Sequence, residues 1–149
     1  MKQWFMLLCL GLASCVSDPH GLTVKQYHLR ESMFNQNIDL MARGEVQRLL
    51  HGAVTVEERS QKVGQYYHII WNQPGYSSAS MEVVFEYLQA GSGSKVQRLI
   101  QKAPVKDRLD ARFSIVGNDY LRNGRVLAWR VMVKDGEKVL ASKQSYMWR

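Results

Sequence analysis

Histidine is the side chain best suited to exchange a proton near neutral pH, and this 149-residue chain has four, His20, His28, His51 and His68. No two of them are spaced as a ligand pair on one helix or strand, so no metal site is expected. His68 stands in the middle of "QYYHIIWN", beside Tyr66 and Tyr67 and on the opposite face from Trp71. Paired with a carboxylate in a cleft it would be a general base, and the chain would be a hydrolase. On an open sheet face it is an ordinary surface histidine. The carboxylates do not make a pair by themselves. Glu82 and Glu86 are four residues apart on one strand face, about 13 Å at the usual strand rise, which is wider than the roughly 5–9.5 Å of glycosidase acids. Asp107 and Asp110 alternate with Arg108 and Arg112 as charge balance, and Glu57 and Glu58 fit a helix cap. There is no G-x-S-x-G elbow, H-E-x-x-H pair, Walker A loop or dinucleotide fingerprint. The glycines of "GSGS" (91–94) lack the following lysine and helix of a phosphate cradle. No cofactor is expected, and no catalytic residue is assigned.

The two cysteines, Cys9 and Cys15, both fall in the first fifteen residues. Lys2 is followed by an apolar run from Trp4 to Leu12 and then Ala13-Ser14-Cys15, the pattern of a secretory signal peptide. From Trp4 to Val16 the run covers 13 residues, too few for the roughly 20 of a transmembrane helix. The exit Leu12-Ala13-Ser14-Cys15 resembles the lipobox of bacterial lipoproteins. That resemblance implies cleavage before Cys15, a diacylglycerol on its sulfur, usually an acylated amine, and a mature chain without thiols. Such a chain forms no disulfide and has no cysteine nucleophile or cysteine metal pair, in a compartment that permits disulfides. Each buried methylene contributes about 0.8 kcal/mol, and two or three acyl chains hold a protein to a bilayer essentially permanently. Val16, rather than Asp, follows the cysteine, which under the enterobacterial sorting rule implies the outer membrane, facing the periplasm. The expected division is a signal over 1–14, a lipid tether over 15–21 and one domain over 22–149.

Charge is unevenly spread. The formal net charge is +7, yet residues 15–94 hold six basic against eight acidic side chains, while residues 95–149 hold thirteen basic against five acidic. A basic half favours an anionic partner: in an envelope, lipid head groups, lipopolysaccharide phosphates, acidic wall groups or an acidic protein, and not nucleic acid. Arg98, Arg112, Arg125, Arg130 and Lys143 are the cations expected on a basic sheet face, with Tyr146 and Trp148 as aromatic anchors. The other reading of these charges is a set of solvated outer strand faces.

These side chains need a scaffold, and the hydrophobic period supplies one. Alternation places Tyr67, Ile69 and Trp71 on one face; Met81, Val83, Phe85 and Tyr87 on another; then Leu109, Ala111, Phe113 and Ile115; then Leu127, Trp129, Val131 and Val133. Leu22–Glu31 and Lys95–Gln101 read as further extended segments. Gln73-Pro74-Gly75 reads as a turn, and Asp135-Gly136 as a two-residue hairpin whose simple register sets Val131 opposite Leu140, unless a bulge shifts it. Thr55-x-x-Glu58 has capping-box spacing, with Gly64 as the stop of a short helix over 56–63. The segment 32–52 is open between a helix interrupted by Gly44 and a strand over 45–50, with the strand slightly preferred. A mainly β fold follows: an antiparallel β-sandwich or barrel-like sheet pair with one short α-helix.

Overall fold

A computed structural model describes residues 21–34, 38–103 and 105–149. The expected signal over 1–14, Cys15, His20 and the expected tether up to residue 20 lie outside the described residues. The strands are β1 (Leu22–Leu29), β2 (Gly64–Ser78), β3 (Met81–Gln89), β4 (Gln97–Lys102), β5 (Val105–Val116), β6 (Val126–Asp135) and β7 (Lys138–Gln144). They form two antiparallel sheets, β1-β2-β5 and β4-β3-β6-β7. The helices are α1 (Leu40–Leu49), α2 (Val56–Ser60) and α3 (Gly117–Asn123). No helix among the described residues is long and apolar enough to cross a membrane.

The alternating residues meet between the sheets. Tyr67, Ile69 and Trp71 from β2 and Leu109, Ala111, Phe113 and Ile115 from β5 face Met81, Val83, Phe85 and Tyr87 from β3. Phe85, fully buried, lies 4.6 Å from the Tyr67 ring and 5.3 Å from Phe113, centroid to centroid. The sheets also touch at their edges. Lys143 Nζ donates to the Leu22 carbonyl at 3.1 Å, and the Arg112 amide on the free edge of β5 donates to Gln101 Oε1 at 3.4 Å. These side chains occupy backbone groups that an open edge would leave for other chains.

Several expectations need correction. The strand preferred over 45–50 is helix α1. Asp39 caps it by accepting from the Met41 amide at 3.2 Å, and Leu, Met, Ala, Arg, Glu and Gln outweigh the roughly 1 kcal/mol cost of Gly44. The helix turns Val46 inward and leaves Met41 85% exposed. The expected antiparallel sheet pair is present, with α2 as its short helix, and among the described residues α1 and α3 accompany it. Gln73-Pro74-Gly75 does not reverse the chain: β2 runs on through it with a register break between Asn72 and Ser77. Leu127 is exposed, because a register shift between Leu88 and Gln89 puts both Val126 and Ala128 inside. Val131 pairs with Lys143 rather than Leu140, since the turn residues are Gly136 and Glu137 and a further shift follows Val133.

The expected capping box is present. Thr55 Oγ1 accepts from the Glu58 amide at 3.1 Å, and Glu58 accepts from the Thr55 amide at 2.9 Å. Thr55→Ala should therefore lose about 1 kcal/mol, read as a small drop in urea midpoint at constant m-value. A midpoint that does not move would mean that α2 is held by its neighbours rather than by its cap.

Candidate functional site

The outer face of the three-stranded sheet is not flat. Residues directly opposite across antiparallel strands share a face, and the register puts Lys25, His68 and Arg112 side by side across β1, β2 and β5. Two residues along, Tyr27, Tyr66 and Ser114 form a second row. Helix α1 stands beside these rows, with Glu45, Arg48 and Leu49 toward them, and encloses a groove of about 650 Å³. That volume is in the usual range of small-ligand sites, roughly 300–1,000 Å³.

The charges in the groove are arranged in pairs, with one exception. Arg48 grips Glu45 through Nε at 2.9 Å and through a second, shorter bond from Nη2. The hydrogen bond from Arg48 holds the Glu45 carboxyl below its usual range; burial opposes it, and the charges of Arg48, Arg112 and His68 add to it. Asp110, just past the cation row, meets His68 Nε2 at 2.8 Å and Arg112 Nε at 3.5 Å, with Arg108 at 3.9 Å. Its carboxyl is likewise held low, first by the His68 hydrogen bond. Lys25 is exposed and forms no ion pair among the described residues. The phenols turn their oxygens away: Tyr66 donates to the Lys62 carbonyl at 2.5 Å, and Tyr27 to the Met33 sulfur at 3.9 Å. The sheet thus offers a row in which the cations Lys25 and Arg112 flank His68, a row of ring carbon, and an arginine above.

The five cations expected on one basic face are divided. Arg112 is in this groove. Arg98 and Arg130 are on the outer face of the four-stranded sheet, where both grip Glu86. Arg98 donates from Nε and Nη2 to Oε1 at 3.0 and 2.6 Å, and Arg130 from Nε and Nη2 to Oε2 at 3.0 and 2.5 Å. Trp148 covers Arg130, its ring centre 5.1 Å from the guanidinium carbon, a cation–π contact. Burial pushes the Glu86 carboxyl up, but the bonds and charges of the two arginines outweigh it and leave it low. Arg125 precedes β6 near His28, Lys143 is at the sheet seam, and Tyr146 is 96% exposed. Of the seven residues, Arg98, Arg130 and Trp148 come together, and they form a structural cluster.

No family model, curated protein or solved structure matches this chain. Its own geometry must therefore identify its site.

The described histidines are not gathered. His28 Nε2 meets Tyr120 Oη at 2.7 Å, His51 is exposed in the loop after α1, and His68 is in the groove. Among the described residues, no cluster of three His, Cys, Asp or Glu side chains could hold a metal. Lys25, Tyr27, Glu45 and Arg48 were missed as site residues. The first two alternate in β1 and could have been found by laying that strand beside "QYYHIIWN". The last two depend on α1, and the sequence pattern did not distinguish that helix from a strand.

Proposed function

We propose that this chain is a lipid-anchored protein of the bacterial cell envelope, held through Cys15 in the outer membrane and facing the periplasm. Its β domain binds an anionic envelope component on the basic face of the three-stranded sheet and catalyses no reaction. The observation that supports this most is the groove itself: Lys25, His68 and Arg112 in register under Arg48, with no ion pair to Lys25 among the described residues. A concave basic wall concentrates field on an anion more than a flat one does.

A second reading, an envelope hydrolase, is favoured by the His68–Asp110 contact at the groove. A histidine oriented by a carboxylate is half of a proton-transfer site. No serine or threonine among the described residues hydrogen-bonds His68, so such an enzyme would have to activate water through Nδ1.

Both readings are tested with the full chain in detergent micelles, cosedimented with isolated cell-wall sacculi and with lipopolysaccharide vesicles. The binding reading expects Lys25→Glu/Arg112→Glu to weaken sedimentation about tenfold or more, since each charged contact contributes roughly 1.5–3 kcal/mol. Cys15→Ser should leave binding intact and move the protein out of the detergent phase. Unchanged sedimentation of the charge-reversed variant overturns the binding reading. Release of soluble fragments by wild type, lost in His68→Ala, establishes the hydrolase instead. Arg130 is unsuitable for charge reversal because its loss would disturb Glu86.

A further inference from the structure

We infer that the ligand of this groove is a sugar chain carrying carboxylates, its anionic group on the Lys25–His68–Arg112 row and a ring face on Tyr27 and Tyr66. The inference rests on the anion-binding reading and narrows it to one chemical class. The two rows are two residues apart along their strands, about 7 Å at strand rise. That places an anchoring cation beside an apolar platform, which suits a ligand whose charge is carried on the edge of a ring. The tyrosine hydroxyls are already bonded to Lys62 and Met33. What Tyr27 and Tyr66 offer the groove is therefore carbon surface, matching the C–H faces of a pyranose, while the Ser114 hydroxyl remains for a sugar hydroxyl.

A phosphate fits this groove less well than a carboxylate. Phosphate sites draw on free backbone N–H groups and helix N-termini. Here the floor is β2 flanked by β1 and β5, its amides engaged in the two ladders. The part of α1 that faces the groove is its C-terminal half, Glu45 to Leu49, where the negative end of the helix dipole opposes a doubly charged phosphate more than a singly charged carboxylate. The cations that are present already accept carboxylates: Arg48 holds Glu45, and Arg112 approaches Asp110 at 3.5 Å. Glu45 lines the same groove as His68 and Arg112, so a carboxylate is accommodated beside the row.

The test is calorimetric titration of the full chain in micelles with four probes. These are trigalacturonate, its methyl ester, the disaccharide of N-acetylglucosamine and N-acetylmuramic acid, and glucose 6-phosphate. One or both free acids should bind, and the tighter one tells whether the source is a uronate polysaccharide or wall glycan. Esterification, Arg112→Gln and Lys25→Gln should each weaken the uronate about tenfold, as expected for loss of a charged contact. Tyr27→Ala should weaken both acids alike. Lys25→Gln, at an exposed position, should melt with the wild type and so separates binding from folding. If glucose 6-phosphate binds more tightly than either acid, or the ester binds as well as the acid, the sugar-carboxylate class is wrong. The anion reading then still stands on its sedimentation result. If no probe binds and the sacculi and vesicles are also ignored, both fail.

Discussion

Replacing Arg98 and Arg130 together with alanine should cost the domain about 3 kcal/mol, the lower end of the usual 3–5 kcal/mol for stripping a buried ion of its partners. Glu86 is the reason. Its side chain is 3% exposed between Arg98 at 61% and Arg130 at 38%, and each carboxylate oxygen is occupied by one guanidinium. Without both arginines the acid must either ionise unpaired under the sheet surface or take up a proton. Because the arginines themselves reach solvent, each single variant should lose only about 1–2 kcal/mol, and the two losses should not add. Glu86→Leu, which removes the buried charge and leaves two guanidiniums free to reach water, should fall within about 1 kcal/mol of wild type.

The pH dependence follows from the same three residues. The folded-state carboxyl of Glu86 lies below its ordinary value. Its contribution is thus fully present above the unfolded glutamate value and is lost as pH falls through the lower folded one. In the double variant burial acts alone and raises the carboxyl, so that protein suffers most near neutral pH and recovers as protonation becomes easy. The gap between wild type and double variant, from urea midpoints, should narrow as pH drops from 7 toward about 4. A gap below about 1 kcal/mol at pH 7, or one that widens with acid, would mean that Glu86 is solvated by some other route.

The sheets were legible in the sequence because alternation is a local signal. Met81, Val83, Phe85 and Tyr87 announce their face without reference to any other strand. What alternation does not carry is which strands adjoin. Arg98 and Arg112 are fourteen positions apart in a basic half of the chain, yet β4 joins the four-stranded sheet and β5 the other. The charge count was real, and its assignment to one face was not. Leu127 was misplaced by a single-residue shift, and the β6–β7 pairing is set by a bulge of the kind the sequence left open; each reverses the facing of what lies beyond it. The groove needed α1, and its segment was ambiguous because Gly44 interrupts an otherwise helix-forming run. Lys25 and Tyr27 were in plain view but had no chemistry until Tyr66, His68, Arg112 and Ser114 were laid beside them.

Gly64→Ala should be more damaging still to the groove, although Gly64 is not part of it. Gly64 opens β2 between Leu29 of β1 and Val116 of β5, with φ at +148°. A Cβ built there would come within 2.2 Å of the Ile115 carbonyl oxygen and 2.8 Å of the Val116 Cα. Both are backbone atoms of a paired strand, so no side chain can swing aside. The Gly117 amide bonds the Val63 carbonyl at 3.0 Å in the same place, tying α3 to this junction. Overpacking and a strained backbone each cost about 1–3 kcal/mol, and together about 2–6 kcal/mol against a typical stability of about 5–15 kcal/mol. To relieve the contact β2 must part from β5 at its first residues, and Tyr66 and His68 follow immediately. The variant should therefore lose ligand binding at temperatures where it remains folded, with amides from Gly64 to His68 exchanging faster than those of β3. Gly44→Ala is the control, since nothing lies within 4 Å of a Cβ there and the change should stabilise α1 by about 0.5–1 kcal/mol. If Gly64→Ala melts with the wild type, the junction of β2 and β5 has slack enough to absorb a methyl group, and the groove floor is not held from that end.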